Sequence, residues 1–143
     1  MAATTQTTQT TRTARGFGFE TATLTPVHWT AVGLASITGI VHLYLWYNGG
    51  MDLFLLAGLG YFGAIGLLLL NVYRPALYLA GIPYTLAQIG GYVMEWQALG
   101  FGPAPEGTLG LTTKAVEIAL IACLAYLFAR WYSVRRAERA LTA

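Results

Sequence analysis

The sequence predicts an all-α fold, an integral membrane antiparallel four-helix bundle with a disordered N-terminal tail. Of its 143 residues, 56% are hydrophobic and only 10% are charged, well below the roughly 25% that is typical of soluble domains. Between residues 27 and 96 the only charged side chains are Asp52, Arg74 and Glu95. Glycine- and proline-rich breaks also divide the chain into four apolar segments of about 20 residues, the length that crosses a bilayer.

The domain organisation follows from the composition of the two ends. Residues 1–24 are predicted to be a disordered tail, because the Thr/Gln-rich stretch MAATTQTTQTTRTARG cannot bury a core. It contains no apolar run of the kind found in cleavable signal peptides. The four-helix domain is predicted at 25–133, and residues 134–143 are predicted to be a basic cytoplasmic tail.

Helix start and stop signals delimit each span. The predicted spans are 26–47, 52–71, 75–96 and 112–132. Thr25 offers an N-cap to the first, and Pro26 suits a first helical position. Asp52 is favourably placed at the N-terminus of the second span. Thr112 or Thr113 is the predicted cap of the fourth.

Basic residues are distributed unevenly between the two predicted sides of the membrane. Lys114 is the one basic residue on the outer side, and seven arginines lie on the other: Arg12, Arg15, Arg74, Arg130, Arg135, Arg136 and Arg139. Because cytoplasmic loops are enriched in arginine and lysine, both termini are predicted to be cytoplasmic and the protein to lie in the cell membrane.

Polar side chains are predicted to cluster toward the outer ends of three spans. Gln88, Tyr92 and Glu95 continue a series from Tyr84 with spacings of 4, 4 and 3, which stacks them on one helix face. The predicted ligand-binding residues are His42, Gln88, Tyr92, Glu95, Lys114 and Glu117. Ionisable groups within a membrane are costly, and therefore mark a candidate site for a proton, a cation or a small polar ligand.

This cluster also has a purely structural interpretation. Glu117 would pair with Lys114, three residues earlier on the same helix, and Glu95 would extend to water. Which metal such a cluster would bind is unknown, because the spacing of its residues in the sequence matches no recognised ligand motif.

Both histidines of the chain lie in the first span. His28 and His42 are fourteen positions apart, which brings them to within about 40° on the helix and separates them by ~21 Å. This spacing permits a b-type haem-binding redox dimer, in which each copy of the span gives one ligand per haem. Alternatively, His28 is an interfacial residue beside Trp29, and His42 bonds to a neighbouring helix or joins a polar site with carboxylates.

Common catalytic motifs are missing from the sequence. It has no phosphate-binding glycine loop and no His-Glu-x-x-His pattern, and Cys123 is its single cysteine. The sequence therefore leans against an enzyme, and no cofactor is predicted apart from the haem alternative. The expected partner is the lipid bilayer, because a few arginines at a membrane exit suit anionic headgroups better than nucleic acid.

Small residues recur at four-residue spacing and allow close approach of membrane helices. They are Ala31, Ala35 and Gly39; Ala87 and Gly91; and Ala115, Ala119 and Cys123. These faces are predicted to pack against other helices, either within the chain, in a homo-oligomer or in a membrane protein partner. Three functions remain open: a small subunit or interaction protein of a membrane complex, a carrier or sensor with an outward-facing polar site, and the haem-binding dimer.

The segments VHWTAVGLASITGIVHLYLW, RPALYLAGIPYTLAQI and TTKAVEIALIACLAYLF together resemble small four-span membrane proteins of halophilic archaea. The resemblance covers all four spans; it implies an archaeal four-span protein and no particular activity. The chain is also loosely similar to DoxX-type four-helix membrane proteins, from which no functional residue can be carried over.

Overall fold

The computed structural model describes residues 21–142. Within this range the chain forms four α-helices and no strand. The helices are α1 (Pro26–Tyr47), α2 (Asp52–Leu69), α3 (Arg74–Ala98) and α4 (Gly107–Leu141). The fold is therefore all-helical, as predicted. The predicted N-terminal tail, with Arg12 and Arg15, lies almost entirely outside the described residues.

The helices pack in the order α2, α1, α4, α3, and the seam between α2 and α3 is much thinner than the other three contacts. Tyr84 of α3 bridges this seam, because its hydroxyl donates to the Ala57 carbonyl of α2 at 2.9 Å. The same hydroxyl occupies the position that a Cβ at Gly60 would take. A larger residue than glycine at that position would therefore push the two helices apart.

The first three helices begin where the local sequence signals predict. Thr25 is the N-cap of α1 and is followed by Pro26. α2 begins at Asp52 and α3 at Arg74, one residue before the predicted start. α2 ends at Leu69, two residues earlier than predicted, because Asn71 adopts a positive φ of 56°.

α4 begins at Gly107, five residues before the predicted start. Thr112 and Thr113 are therefore not caps: their hydroxyls donate to the carbonyls of Thr108 and Leu109, one turn earlier, at 2.9 and 2.7 Å. Pro105 is the last proline of the preceding loop, and nothing after it interrupts a helix.

The C-terminal end of α4 also differs from the prediction. The segment 134–143 is predicted to be a tail, but it is helical as far as Leu141. Arginine, alanine, glutamate and leucine are all good helix formers, so a run of charge there does not end the helix. With 35 residues, α4 is about 52 Å long.

The surface of the helices is more apolar than that of a typical water-soluble protein, and several polar side chains are buried. Large apolar side chains are exposed along every helix, including Ile40, Leu56, Leu86 and Ile118. The buried polar side chains are Thr38, His42, Thr85, Thr113 and Glu117. α1, α2 and α4 are long and apolar enough to cross a membrane, whereas α3 is long enough but less apolar.

Candidate functional site

Glu117 lies at the centre of a buried charge cluster. Its side chain has no exposed area, and its Oε2 atom is 2.7 Å from Nζ of Lys114. Its other oxygen, Oε1, is 3.8 Å from Nε2 of His42 on α1. The pairing of Glu117 with Lys114 that the sequence suggested is thus present, and His42 is a second neighbour of the same carboxylate.

His42 is held in one orientation by the backbone of its own helix. Its Nδ1 atom is 2.8 Å from the Thr38 carbonyl oxygen. A carbonyl only accepts hydrogen bonds, so Nδ1 carries a hydrogen and donates it. In the neutral ring, Nε2 then presents a lone pair toward Oε1 of Glu117. Two acceptors would repel each other at this distance, so a favourable contact requires one proton between them.

Two buried oxygen atoms near this cluster lack a hydrogen-bond partner among residues 21–142. They are Oγ1 of Thr38 and Oε1 of Glu117. An unsatisfied buried acceptor or hydroxyl costs roughly 1–3 kcal/mol. At 3.8 Å, Nε2 of His42 is too far from Oε1 to form a hydrogen bond as the side chains lie, so both oxygens carry this cost. A shared proton together with a closer approach of the two side chains would remove it at Oε1.

Lys114 connects the cluster to α3. Its Nζ atom is 3.5 Å from the Gln88 carbonyl oxygen, to which it donates, and 5.3 Å from the centre of the Tyr92 ring. The lysine side chain is only 14% exposed. A cation over an aromatic ring is attracted to it, so Lys114 is held between a carboxylate, a carbonyl and a ring.

An open cavity of about 410 Å³ leads to this cluster from the end of the bundle that contains His42. We call it the polar cavity. It is lined by His42, Leu45, Met51, Leu53, Phe54, Ala87, Gln88, Gly91, Tyr92, Glu95, Glu106, Gly110, Thr113 and Lys114. Five of the six predicted site residues line it, and the sixth, Glu117, contacts two of them, His42 and Lys114. Glu106 was not predicted.

The loop between α3 and α4 covers one side of the polar cavity. It is fixed to α3 by the hydroxyl of Tyr92, which donates to the Pro105 carbonyl at 3.3 Å, and by Trp96, whose Nε1 donates to Gly102 at 2.9 Å. A Cβ at Gly110 would collide with the Pro105 carbonyl and the Tyr92 ring. Gly110 therefore permits the loop to lie this close to α4.

Two carboxylates give the mouth of the polar cavity a negative charge. Glu95 is exposed on α3, and Glu106 is half-buried at the start of α4. Burial raises the pKa of Glu106 above its usual value; the neighbouring charge of Glu95 raises it further, and Lys114 lowers it. The mouth is therefore an environment in which an additional positive charge is stabilised.

His28 does not belong to this cluster. Its Nδ1 atom accepts a hydrogen bond from the Thr25 backbone N–H at 3.0 Å, and its Nε2 atom is 2.8 Å from the Tyr78 hydroxyl. Because Nδ1 accepts, Nε2 carries the hydrogen, the opposite tautomer to His42. A haem iron at Nε2 of His28 would displace the Tyr78 hydroxyl, whereas Nε2 of His42 has no hydrogen bond and faces Oε1 of Glu117 at 3.8 Å. Haem ligation therefore stays a prediction.

The described residues contain no group of three or more histidine, cysteine, aspartate or glutamate side chains that could hold a metal ion. Sequence reasoning missed Glu106, which lies in a loop without periodicity. It also missed Thr38, although a position four residues before His42 shares its helix face. The polar groups that converge here are one imidazole, one ammonium and three carboxylates.

The fold and the site together define a class of protein, a helical bundle with an apolar surface and a buried charge cluster. Residues 13–128 match a family of unknown function, DUF7475, and the chain belongs to that family. No curated protein and no solved structure matches the chain.

Proposed function

We propose that this chain is a multi-pass membrane protein in which all four helices cross the bilayer. The outward-facing apolar side chains and the hydropathy of α1, α2 and α4 support this. α3 has 25 residues and is about 37 Å long, more than the roughly 30 Å of a hydrocarbon core. Its polar residues Gln88, Tyr92 and Glu95 line the polar cavity.

Both termini then lie on the cytoplasmic side. Arg74, Arg130 and the arginines that follow it are at one end of the bundle, and Lys114 is near the other. An excess of arginine marks the cytoplasmic side. The polar cavity accordingly opens away from the cytoplasm.

Within that membrane protein, the polar cavity binds a small cation in competition with a proton, and the chain acts as a carrier or sensor. The single observation that carries this function is the position of Glu117: fully buried, bonded to Lys114 and facing His42 directly behind the cavity. A carboxylate is costly at such depth unless its charge is balanced. Lys114 balances one charge, and the proton shared with His42 makes the site responsive to pH.

Competition follows from the signs of the charges. A cation held by Glu95 and Glu106 at the mouth lies in the same cavity as His42. Its positive charge disfavours a proton on the imidazole, and the proton likewise disfavours the cation. Cation binding is therefore expected to weaken as the pH falls.

The test is a thermal-stability titration of the full chain in detergent with ammonium and methylammonium chloride, using N-methylglucamine chloride to hold the ionic strength constant. We expect the two small ammonium ions to raise the melting temperature of the wild type, and to raise it less at acidic pH. Glu117→Gln should reduce the effect of pH on binding, and the part that remains is due to protonation of Glu106, whose pKa is raised by burial.

Glu138→Gln is the matched control, because Glu138 is on the same helix but its side chain is 60% exposed. It should behave as the wild type. If small ammonium ions fail to stabilise the wild type, or if Glu117→Gln retains the full pH effect, the proposed function is wrong.

The tautomers of the two histidines have their own spectroscopic test. The chain contains two histidines, so ¹⁵N labelling of the imidazoles yields two sets of signals. We expect His28 to carry its hydrogen on Nε2 at neutral pH, and His42 to carry one on Nδ1. The same tautomer in both rings would contradict the geometry on which the proposal depends.

A subunit of a larger membrane complex is a second candidate, favoured by one helix face. Ala31, Ala35 and Gly39 of α1 are buried within the chain, so they are already used for internal packing. Ala115 and Ala119 of α4 instead face outward and leave a shallow surface for another helix. Purification of a stoichiometric membrane partner, lost on Ala115→Phe and Ala119→Phe, would favour this candidate.

A further inference from the structure

At the end of the bundle opposite to the polar cavity, a second cavity of about 450 Å³ lies between the starts of α1 and α3 and the C-terminal half of α4. We call it the arginine cavity. Among residues 21–142, its lining contains three arginines, Arg74, Arg130 and Arg135, and no carboxylate.

We propose that the arginine cavity binds a phosphate group, either the headgroup of an anionic phospholipid or a free phosphate. This site is separate from the polar cavity and does not depend on cation binding there, but a lipid as its ligand rests on the membrane location proposed above. The argument rests on the charge, the rigidity and the position of the cavity, taken in turn below.

Two of the three arginines carry charges that are weakly compensated within residues 21–142. The guanidinium of Arg130 has no hydrogen bond or ion pair within the part of the chain that the structure describes; its backbone carbonyl accepts a hydrogen bond from Oγ of Ser133 at 3.3 Å. Arg135 is 3.7 Å from Glu138, but both side chains are about 60% exposed, and such exposed pairs contribute little. Guanidinium groups match the oxygens of a phosphate with two parallel hydrogen bonds, which makes arginine the usual residue for this ligand.

The third arginine is fixed in place by contacts with the chain. Nε of Arg74 donates to the Leu68 carbonyl at 3.1 Å, and its Nη1 donates to Oγ1 of Thr23 at 2.6 Å. Its guanidinium therefore stays at the rim of the cavity without further ordering on binding. A preorganised group loses less conformational entropy when a ligand arrives.

Two helices begin at this end, and their N-termini add to the positive potential. α1 starts at Pro26 and α3 at Arg74, and each N-terminus is equivalent to about half a positive charge; the C-terminus of α2, at Leu69, offsets one of them. Tyr78 and Leu127 form a buried floor. A phosphate in the cavity would thus lie among positive groups above an apolar base.

The aromatic residues at the rim suit a membrane surface. Tyr73 is 82% and Trp131 is 37% exposed, and both line the cavity. Tyrosine and tryptophan are enriched at the depth of lipid headgroups. A lipid phosphate would lie at that depth, whereas free phosphate would enter from the cytoplasm; the chemistry of the contacts is the same.

The test compares two double variants of the full chain that each remove two positive charges from α4. Arg130→Gln with Arg135→Gln removes arginines that line the cavity. Arg136→Gln with Arg139→Gln removes arginines of the same helix that do not line it. The measurements are phosphatidylglycerol retained by the detergent-purified protein, by native mass spectrometry, and equilibrium binding of inorganic phosphate and glycerol 3-phosphate.

We expect the cavity variant to bind the phosphate ligand about tenfold more weakly or worse, since each charge-assisted hydrogen bond is strong. The matched variant should lose less than threefold. Retention of phosphatidylglycerol over phosphatidylcholine, without competition from glycerol 3-phosphate, would identify a lipid as the source. Direct binding of inorganic phosphate or glycerol 3-phosphate would identify a soluble ligand.

The variant Arg130→Lys distinguishes the loss of a specific binding site from the loss of the fold. It keeps the charge but not the paired donors, so we expect a loss smaller than that of Arg130→Gln and a melting temperature equal to that of the wild type. Equal losses in the two double variants, or no loss in either, would overturn the proposal, because they would show diffuse attraction to the basic end or no binding at all.

Discussion

At the end of the bundle that contains His42, opposite charges are buried and contact each other, whereas at the arginine end like charges are exposed and surround an open cavity. Lys114 and Glu117 are 14% and 0% exposed and lie 2.7 Å apart. Arg135, by contrast, is 61% exposed. Its partner carboxylate, that of Glu138, is 3.7 Å away and is also exposed.

The difference determines which end depends on its charges for stability. Removing one partner from a buried pair leaves an uncompensated charge, which is strongly destabilising. Removing an exposed arginine changes little, because water already solvates it. The His42 end should therefore be sensitive to small chemical changes in its own side chains, and the arginine end should be sensitive mainly to what it binds.

The largest expected effect is at Glu117. Glu117→Leu leaves the ammonium of Lys114 without its carboxylate, and we expect a loss of about 3 kcal/mol in the free energy of unfolding in detergent. Adding Lys114→Met should recover most of that loss. Arg130→Gln, the corresponding change at the arginine end, should stay within about 0.5 kcal/mol. If both single variants cost the same, the contrast between the two ends is wrong.

A smaller effect is expected at Gly110. Gly110→Ala introduces a Cβ against the Pro105 carbonyl and the Tyr92 ring, and overpacking of this kind costs about 1–3 kcal/mol. Gly66→Ala, in the half of α2 nearer the arginine end, meets nothing within 4 Å. It should be neutral or stabilising by up to about 1 kcal/mol, the difference in helix propensity. Denaturant titration of both variants measures the comparison.

Thr38 and Thr85 test whether every polar group at the His42 end is satisfied. Thr38→Val removes a buried hydroxyl that has no partner, and should stabilise the protein by about 1 kcal/mol. Thr85→Val removes the acceptor of the Tyr61 hydroxyl, 3.4 Å away, and should destabilise it by about 1 kcal/mol. Thermal melting of the two variants should therefore shift in opposite directions; a loss of stability in both would mean that the Thr38 hydroxyl is bonded.

The smallest effect is the pH dependence due to Glu106. Its pKa is raised from the ordinary 4.5 by burial first and by Glu95 second. The neutral carboxyl is thus favoured in the folded state, and this stabilisation is present below pH 4.5 and lost as the pH rises through the higher native pKa. Glu106→Gln should raise the melting temperature slightly at neutral pH and leave it unchanged in acid. Glu138→Gln should change it at neither pH.

The start of α1 could be predicted from sequence because Thr25 and Pro26 act locally. The start of α4 could not, since Thr112 and Thr113 are equally compatible with a cap and with the interior of a helix. Only the preceding loop, with its last proline at Pro105, decides between them. The end of α4 was missed for a different reason: charge was taken as a sign of a tail, although arginine favours helix.

The candidate site could be predicted in part because helix periodicity places Gln88, Tyr92 and Glu95 on one face. His42 and Lys114 could be predicted to lie at the same end, because both are near the outer ends of their spans. Which atoms face each other depends on how the helices pack. The contact between His42 on α1 and Glu117 on α4 therefore could not be predicted from helix periodicity alone. The role of the Thr38 carbonyl in selecting a tautomer is likewise a property of the folded backbone.

α4 has no glycine or proline between Leu111 and Leu141, so no residue in that stretch provides a natural point of flexure. Glu117 and Arg130 are thirteen residues apart on this single rod, or about 20 Å along its axis. A tilt, slide or rotation of α4 at one of them is carried to the other as a rigid-body movement. The two ends of the bundle are therefore mechanically connected through a single helix.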